Sequence, residues 1–274
     1  GINLIRGIGL ELQWRYKFDE DDKIKELTGV EISSLDPYID KNMYGNASRL
    51  ANAKEKLNLK EGTDIFRIVE KYKSIFMAGK WDIGKTSLIK HEIKTTGEPI
   101  LRKLRRQPAH LERHIEKAIT NLEENGIIEK CSSPWNTPMV CVWKKEKNEI
   151  RLCLDFRLLN QVTERPAFPI PNIDEMVDSP GGMKWFSSFD LGNTYYQVEL
   201  DDSSKYITAF STRSVQFCFT RMIFRIAEVP ATLQRLMNDI FGDILSKEAL
   251  VYLDDILVFS DSDAEHLMKL ELLF

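Results

Sequence analysis

The chain has 274 residues, 43% hydrophobic and 29% charged, with a formal net charge of −4. That supplies a packed core in two or three lobes, while no signal peptide and no apolar run of membrane length is present. Its cysteines, Cys131, Cys141, Cys153 and Cys218, lack metal-ligand or redox spacing, so they read as reduced, mostly buried thiols rather than a disulfide framework.

In chain order, residues 11–40 are acidic and residues 15–70 read as a polar linker with short helical patches such as Ser48–Leu57. A helix pattern follows over Ile65–Phe76, with Ile65, Phe66, Val69, Tyr72, Ile75 and Phe76 on one face. Gly79-Lys80-Trp81-Asp82-Ile83-Gly84-Lys85-Thr86 satisfies the P-loop pattern and raises nucleotide binding as an alternative function. A working P-loop needs a strand before it (Ser74–Ala78) and a helix after it (Ser87–Ile93). Trp81 is bulky for a loop that wraps phosphate with backbone amides, which weighs against it. Arg102, Lys103, Arg105, Arg106, Arg113 and Lys117 form a basic cluster suited to phosphate contacts, although the net charge is acidic. An amphipathic helix is predicted over Leu111–Asn125, with Leu111, Ile115, Ala118, Ile119 and Leu122 inward. His110 and His114 share a face of it, but His-Leu-Glu-Arg-His fits no zinc signature, so they read as surface or interface histidines.

A hairpin is predicted from strand Pro138–Trp143, a charged turn at Lys144–Glu149 and strand Ile150–Phe156. Met183–Leu191 reads as a strand ending in the carboxylate of Asp190, and Ala231–Leu245 as a helix burying Leu233, Leu236, Met237, Ile240, Phe241 and Ile244. The run Ala249–Phe259 then sets two adjacent carboxylates, Asp254 and Asp255, between apolar segments. Hairpin turns favour Asn-Gly or Asp-Gly, and neighbouring acids repel each other, so Asp-Asp needs a compensating partner such as a divalent cation. An exposed acidic turn is the plain alternative. Two-metal phosphoryl transfer requires carboxylates from different elements to bridge ions about 3.5–4 Å apart, and Asp190 with Asp254 and Asp255 supplies such a set if the elements converge.

Further blocks accompany these acids: Ser133-Pro134-Trp135, Ile150–Asn160, Phe168-Pro169-Ile170-Pro171, Phe189-Asp190-Leu191, Tyr195-Tyr196-Gln197, Thr208-Ala209-Phe210, Pro230-Ala231-Thr232 and Tyr252-Leu253-Asp254-Asp255. In this order they resemble the fingers and palm of a reverse transcriptase, and Gypsy-type LTR retrotransposon polyproteins in particular, over residues 98–274. Residues 1–14 resemble the last strand and helix of a retropepsin-like protease, leaving 15–97 as an acidic linker and lead-in. The resemblance implies an α+β right-hand polymerase, its antiparallel palm sheet backed by helices, cut before the thumb. It also implies RNA-directed DNA polymerase activity, a nucleotidyl transfer that adds deoxynucleotides to a primer 3′-end. Two Mg2+ ions are the implied cofactors, with Mn2+ as substitute. Asp190, Asp254 and Asp255 would be the catalytic and metal-holding acids, helped by the backbone carbonyl of Leu191. Lys144, Lys145, Arg151, Tyr195, Phe224 and Arg225 would bind the incoming nucleotide, Tyr195 excluding a ribose 2′-hydroxyl. Arg157 and Tyr252 would meet template and primer. The implied partners are an RNA or DNA template with primer, deoxynucleoside triphosphates and the rest of a Pol polyprotein (thumb, ribonuclease H, integrase), with no membrane. The implied location is intracellular, in cytoplasmic virus-like particles with nuclear access.

The chain departs from the family at Met222-Ile223-Phe224-Arg225-Ile226-Ala227-Glu228, where Met-Pro-Phe-Gly-Leu, one residue and Asn are usual. Arg225 replaces a Gly that permits close backbone approach and unusual φ, the loss of Pro frees a fixed φ, and Glu228 adds an anion. Thr194 stands where Gly is usual, and Ser211–Gln216 lacks a turn glycine. The alternative these departures raise is a degenerate, inactive retroelement relic with the same fold.

Overall fold

The computed structural model describes residues 10–18, 24–28, 63–144, 149–164, 168, 171, 180–242 and 249–274. The chain forms two compact units, one from Gly1–Thr86, Phe168–Gln197 and Leu233–Phe274, the other from Ser87–Ala167 and Val198–Thr232.

The chain begins with strands β1 (Leu10–Phe18) and β2 (Ile24–Thr28). In β1 apolar residues occupy every second position from Leu10 to Phe18, the period of a pleated strand. The helix expected at the end of residues 1–14 is therefore corrected to strand, and the expected linker 15–97 contributes β2 and a helix. The patch Ser48–Leu57 lies outside the described residues. Helix α1 (Asp64–Lys71) is capped by Thr63, whose hydroxyl accepts the Phe66 N–H, and buries Ile65, Phe66, Ile68 and Val69. It ends earlier than predicted and passes through a 3-10 turn, Lys73–Ile75, that still buries Ile75 and Phe76 but leaves Tyr72 half-buried.

Strand β3 (Thr86–His91) follows. This corrects the P-loop alternative: a strand stands where the helix should start, so Gly79–Thr86 has no helix N-terminus to receive phosphate. The loop instead holds itself, the Asp82 carboxylate accepting the Ala78 N–H at 2.9 Å. Helix α2 (Glu112–Glu124) buries Ile115, Ile119 and Leu122 as predicted, with Leu111 buried just before it and Ala118 only half-buried. Strands β4 (Ile128–Lys130), β5 (Met139–Lys144) and β6 (Glu149–Leu154) come next. The β5–β6 hairpin is the predicted one, in register from Met139 opposite Leu154 to Lys144 opposite Glu149.

After β7 (Trp185–Leu191) come β8 (Val198–Leu200), β9 (Phe210–Ser211) and β10 (Gln216–Phe219). Helix α3 (Val229–Phe241) buries Leu233, Leu236, Met237 and Phe241; Ile240 is only half-buried, and Ile244 lies outside the described residues. Strands β11 (Ala249–Tyr252) and β12 (Asp255–Ser260) form the acidic hairpin, followed by α4 (Asp263–Leu273).

The first unit is built on a five-stranded antiparallel sheet in the order β11-β12-β7-β1-β2. Ser187, Phe189 and Leu191 of β7 and Ile256, Val258 and Ser260 of β12 are buried, as alternation in a strand requires. Helix α4 covers that face: Phe274, just past its end, meets Phe189 edge-on with ring centroids 5.4 Å apart. The second unit holds the β5–β6 hairpin, the small sheet β4-β10-β9 and the pair β3-β8. The α+β class and the helix-backed antiparallel palm sheet are as expected. All four cysteines are free thiols; Cys153 and Cys218 are buried and Cys131 and Cys141 half-buried. Among the described residues no helix is long and apolar enough to cross a membrane.

Candidate active site

Sheet register brings the predicted acids together. Asp190, at the end of β7, is paired across the sheet with Asp255, the first residue of β12. Asp254 lies in the turn between β11 and β12, and its backbone carbonyl accepts the Leu191 N–H at 2.9 Å, which fastens the hairpin tip to the end of β7. Asp190 and Asp255 alternate with buried neighbours, so both carboxylates sit on the face opposite the helix-covered core. On the other side of β7, the backbone register sets Glu11 opposite Asp190.

The electrostatics report the same convergence. Burial raises the Tyr195 phenol above its usual range, and the charges of Asp254, Asp190 and Asp255 push the same way. Burial, and then the charge of Asp254, raises the Asp255 carboxyl. Three carboxylates bearing on one hydroxyl are the donor chemistry a divalent cation relieves. Among the described residues no group of His, Cys, Asp or Glu is already drawn together as a metal cage. The Leu191 carbonyl accepts the Thr194 hydroxyl. Tyr252 is half-buried and pairs with Asp255 across the hairpin.

The turn that carries Asp254 is held under strain. Leu253 has φ 54°, in the left-handed region that side chains disfavour. Gln234 of α3, fully buried, accepts the Leu253 N–H at 2.9 Å and donates to the Val251 carbonyl at 3.3 Å. Gly192, directly after Leu191, packs so closely on Met77 that a Cβ there would lie 1.7 Å from the sulfur. Sequence reasoning missed both. A glutamine among Leu233, Leu236 and Met237 on a buried helical face was the available signal for Gln234.

The remaining predicted residues lie in the second unit. Arg151 is exposed on β6. Lys145, and the side chain of Lys144, lie outside the described residues. Arg157 forms two 2.7 Å bonds to Asp155 while its side chain stays 81% exposed. That hydrogen-bonded pairing, with Arg105 adding its charge, holds the Asp155 carboxyl down at about 2. Phe224 is half-buried, with the Arg225 guanidinium 5.8 Å from its ring centroid. Arg225 itself is exposed and has φ 76°, the strained conformation that the usual glycine would take freely. Asn160 clamps this turn, donating to the Arg225 carbonyl at 2.8 Å and accepting the Ala227 N–H at 3.0 Å. Glu228 is buried, its exposure 5%, and one of its carboxylate oxygens has no partner among the described residues. The cluster Arg102, Lys103, Arg105, Arg106, Arg113 and Lys117 is exposed throughout, as is His110, while His114 is half-buried with its ring edge-on to Trp143 at 4.9 Å.

An antiparallel sheet that sets one strand-end acid against a two-acid hairpin tip defines a polymerase palm of the right-hand type. Residues 142–274 match the family model described as reverse transcriptase (RNA-dependent DNA polymerase). The chain is 35% identical over 225 residues to the retrovirus-related Pol polyprotein of transposon 297 from Drosophila melanogaster, a match covering 80% of this chain and 21% of that one. It is 36% identical over 189 residues to the Pol polyprotein of transposon opus from the same fly, covering 67% and 19%. In fold it is similar to the foamy viral protease-reverse transcriptase solved with an RNA/DNA hybrid, with TM-score 0.73 and 22% identity over 92% of this chain and 32% of that one. The chain belongs to the reverse transcriptase family of retrovirus-like transposons, and it spans about a fifth of the polyproteins it matches.

Proposed function

We propose that this chain supplies the fingers and palm of an RNA-directed DNA polymerase that adds deoxynucleotides to the 3′-end of a primer on an RNA or DNA template. The observation that carries the reading is the pairing of Asp190 with Asp255, with Asp254 in the adjoining turn. These acids, with the Leu191 carbonyl, would hold two Mg2+ ions. Bound there, the metals would acidify the primer hydroxyl and neutralise the triphosphate. The chain's own residues would do the rest. Asp190, Asp254 and Asp255 fix where cations and phosphates gather, and Tyr195 stands beside them to select deoxyribose by contact. Lys144, Lys145, Arg151, Phe224 and Arg225 would meet the nucleotide, cations near transferring phosphates being a large part of such catalysis. Tyr252, Arg157 and the basic cluster would meet primer and template, by analogy with the hybrid-bound foamy viral enzyme. Its Pol relatives suggest work within a longer polyprotein, in cytoplasmic virus-like particles with nuclear access. The inactive-relic reading is not favoured, because the pairing of Asp190 with Asp255 is intact and the turn at Arg225 is clamped by Asn160.

The test is deoxynucleotide incorporation on a primed RNA template with Mg2+, comparing this chain, Asp190→Asn, and a version carrying Ile223→Pro, Arg225→Gly and Glu228→Asn. Incorporation by the unmodified chain that Asp190→Asn abolishes is expected. Undiminished synthesis by Asp190→Asn would refute the assignment of the acids, and synthesis only by the triple variant would mark a disabled nucleotide pocket.

A further inference from the structure

Behind the sheet, β7 and β12 each send a serine to the same imidazole. Ser187 Oγ lies 2.8 Å from His266 Nε2, and Ser260 Oγ lies 2.9 Å from His266 Nδ1. All three residues have 0% exposure. The direction of donation follows from the last link. With the Ser260 hydroxyl donating to the Ser262 carbonyl at 3.1 Å, its oxygen is left to accept from the ring, the arrangement in which Nδ1 carries the proton. Nε2 then accepts from Ser187. Ser262 in turn caps α4, its hydroxyl accepting the Glu265 N–H.

A serine hydroxyl on an imidazole has the spacing of a nucleophile and its base. Here neither group reaches solvent, and the second ring nitrogen faces a hydroxyl rather than a carboxylate, so nothing in the arrangement admits a substrate.

Its place in the sheet gives it a different use. Ser187 pairs with Val258, and Ser260 with Trp185, so the two serines lie diagonally across the strands that carry Asp190 and Asp255. One ring reaches both only in this register. A slip of one residue turns one serine to the front face, and a slip of two carries it about 7 Å along the strand. An apolar side chain would fill the same space without that directionality, because burial alone is non-directional. We propose that His266 is a positioning residue, holding β7 and β12 from behind in the register that sets Asp190 opposite Asp255. The inference rests on the polymerase reading above, and its test separates the two.

In the whole chain, the His266 ring is read by nitrogen NMR, and His266→Phe (same space, no hydrogen bonds) is compared with His266→Asn (which retains a donor toward Ser260). The wild-type ring should be the Nδ1–H tautomer. The Leu191 amide, bonded to Asp254, should exchange faster in His266→Phe and regain part of its protection in His266→Asn. In primer extension, His266→Phe should lower kcat about tenfold while the nucleotide KM stays within about twofold, since the loss is one of geometry rather than binding. An Nε2–H ring, or unchanged Leu191 exchange in His266→Phe, overturns the proposal. So does fast exchange with unchanged kcat, which would make His266 merely structural. If the wild type extends no primer, the polymerase reading fails while the tautomer and the exchange of Leu191 still decide the register role. If His266→Phe does not fold, the tautomer and His266→Asn decide it.

Discussion

Gln234 Oε1 accepts the N–H of Leu253, a residue in the left-handed region at the tip of the acidic hairpin. The same amide donates to Val251, two residues back on β11, so one buried side chain fastens the approach to the bend. Gln234→Ala should lower stability by about 1–3 kcal/mol, because it leaves a half-buried N–H and a buried carbonyl without this partner. Gln234→Glu retains the acceptor but buries a carboxyl against the Val251 carbonyl, so at neutral pH it should cost at least as much as Gln234→Ala. Denaturant unfolding of the three proteins measures both.

Arg225 occupies φ 76° without the freedom of glycine. Arg225→Gly should raise stability by about 0.5–1 kcal/mol, the relief of left-handed strain being partly offset by a more flexible unfolded chain. A thermal melt that shifts downward would show that the Arg225 side chain contributes more than its strained backbone loses.

Burial pushes the Glu228 carboxyl from 4.5 up to about 7, and one of its oxygens has no partner among the described residues. The folded state therefore holds this proton more tightly than the unfolded chain does. Stability from this group is fully present below pH 4.5 and is lost as pH rises through about 7. Glu228→Gln keeps the shape of the side chain and removes the charge. It should be more stable than the parent by about 3 kcal/mol at pH 8, with the difference vanishing near pH 4. Unfolding curves that stay parallel across this range would contradict the burial argument.

At Gly192 an added methyl would fall 1.7 Å from the Met77 sulfur. Gly192→Ala should destabilise by about 1–3 kcal/mol through overpacking, and Met77→Ala in the same chain should recover part of that loss. Additive losses in the double variant would show that the two positions do not share the clash.

Much of this molecule could be read from residue order. The β5–β6 hairpin, helices α2 and α3 and the acidic hairpin rest on short-range periodicity, and each formed within a few residues of its expected bounds. The convergence of Asp190 with Asp255 was anticipated from chemical need and from the family resemblance, not from spacing. Sequence spacing does not encode which strands become neighbours, and register supplied the answer. Arg225 reads as damage because propensity sees the residue and not its surroundings; Asn160 provides those surroundings. Leu10–Phe18 was misread for a different reason. Its strict alternation was present, but likeness to a protease tail outweighed the period of two.

That misread strand has a practical consequence. Leu10–Phe18 pairs along β7 from Leu10 opposite Leu191 to Lys17 opposite Trp185, yet it lies far upstream of residues 142–274, the stretch that matches the family model. An expression fragment trimmed to the matching stretch would leave the main-chain N–H and C=O groups on one side of β7 bare beside Asp190. Bare strand borders invite pairing with other chains. Such a fragment is expected to self-associate, whereas one that begins before Leu10 keeps that border sealed by its own chain.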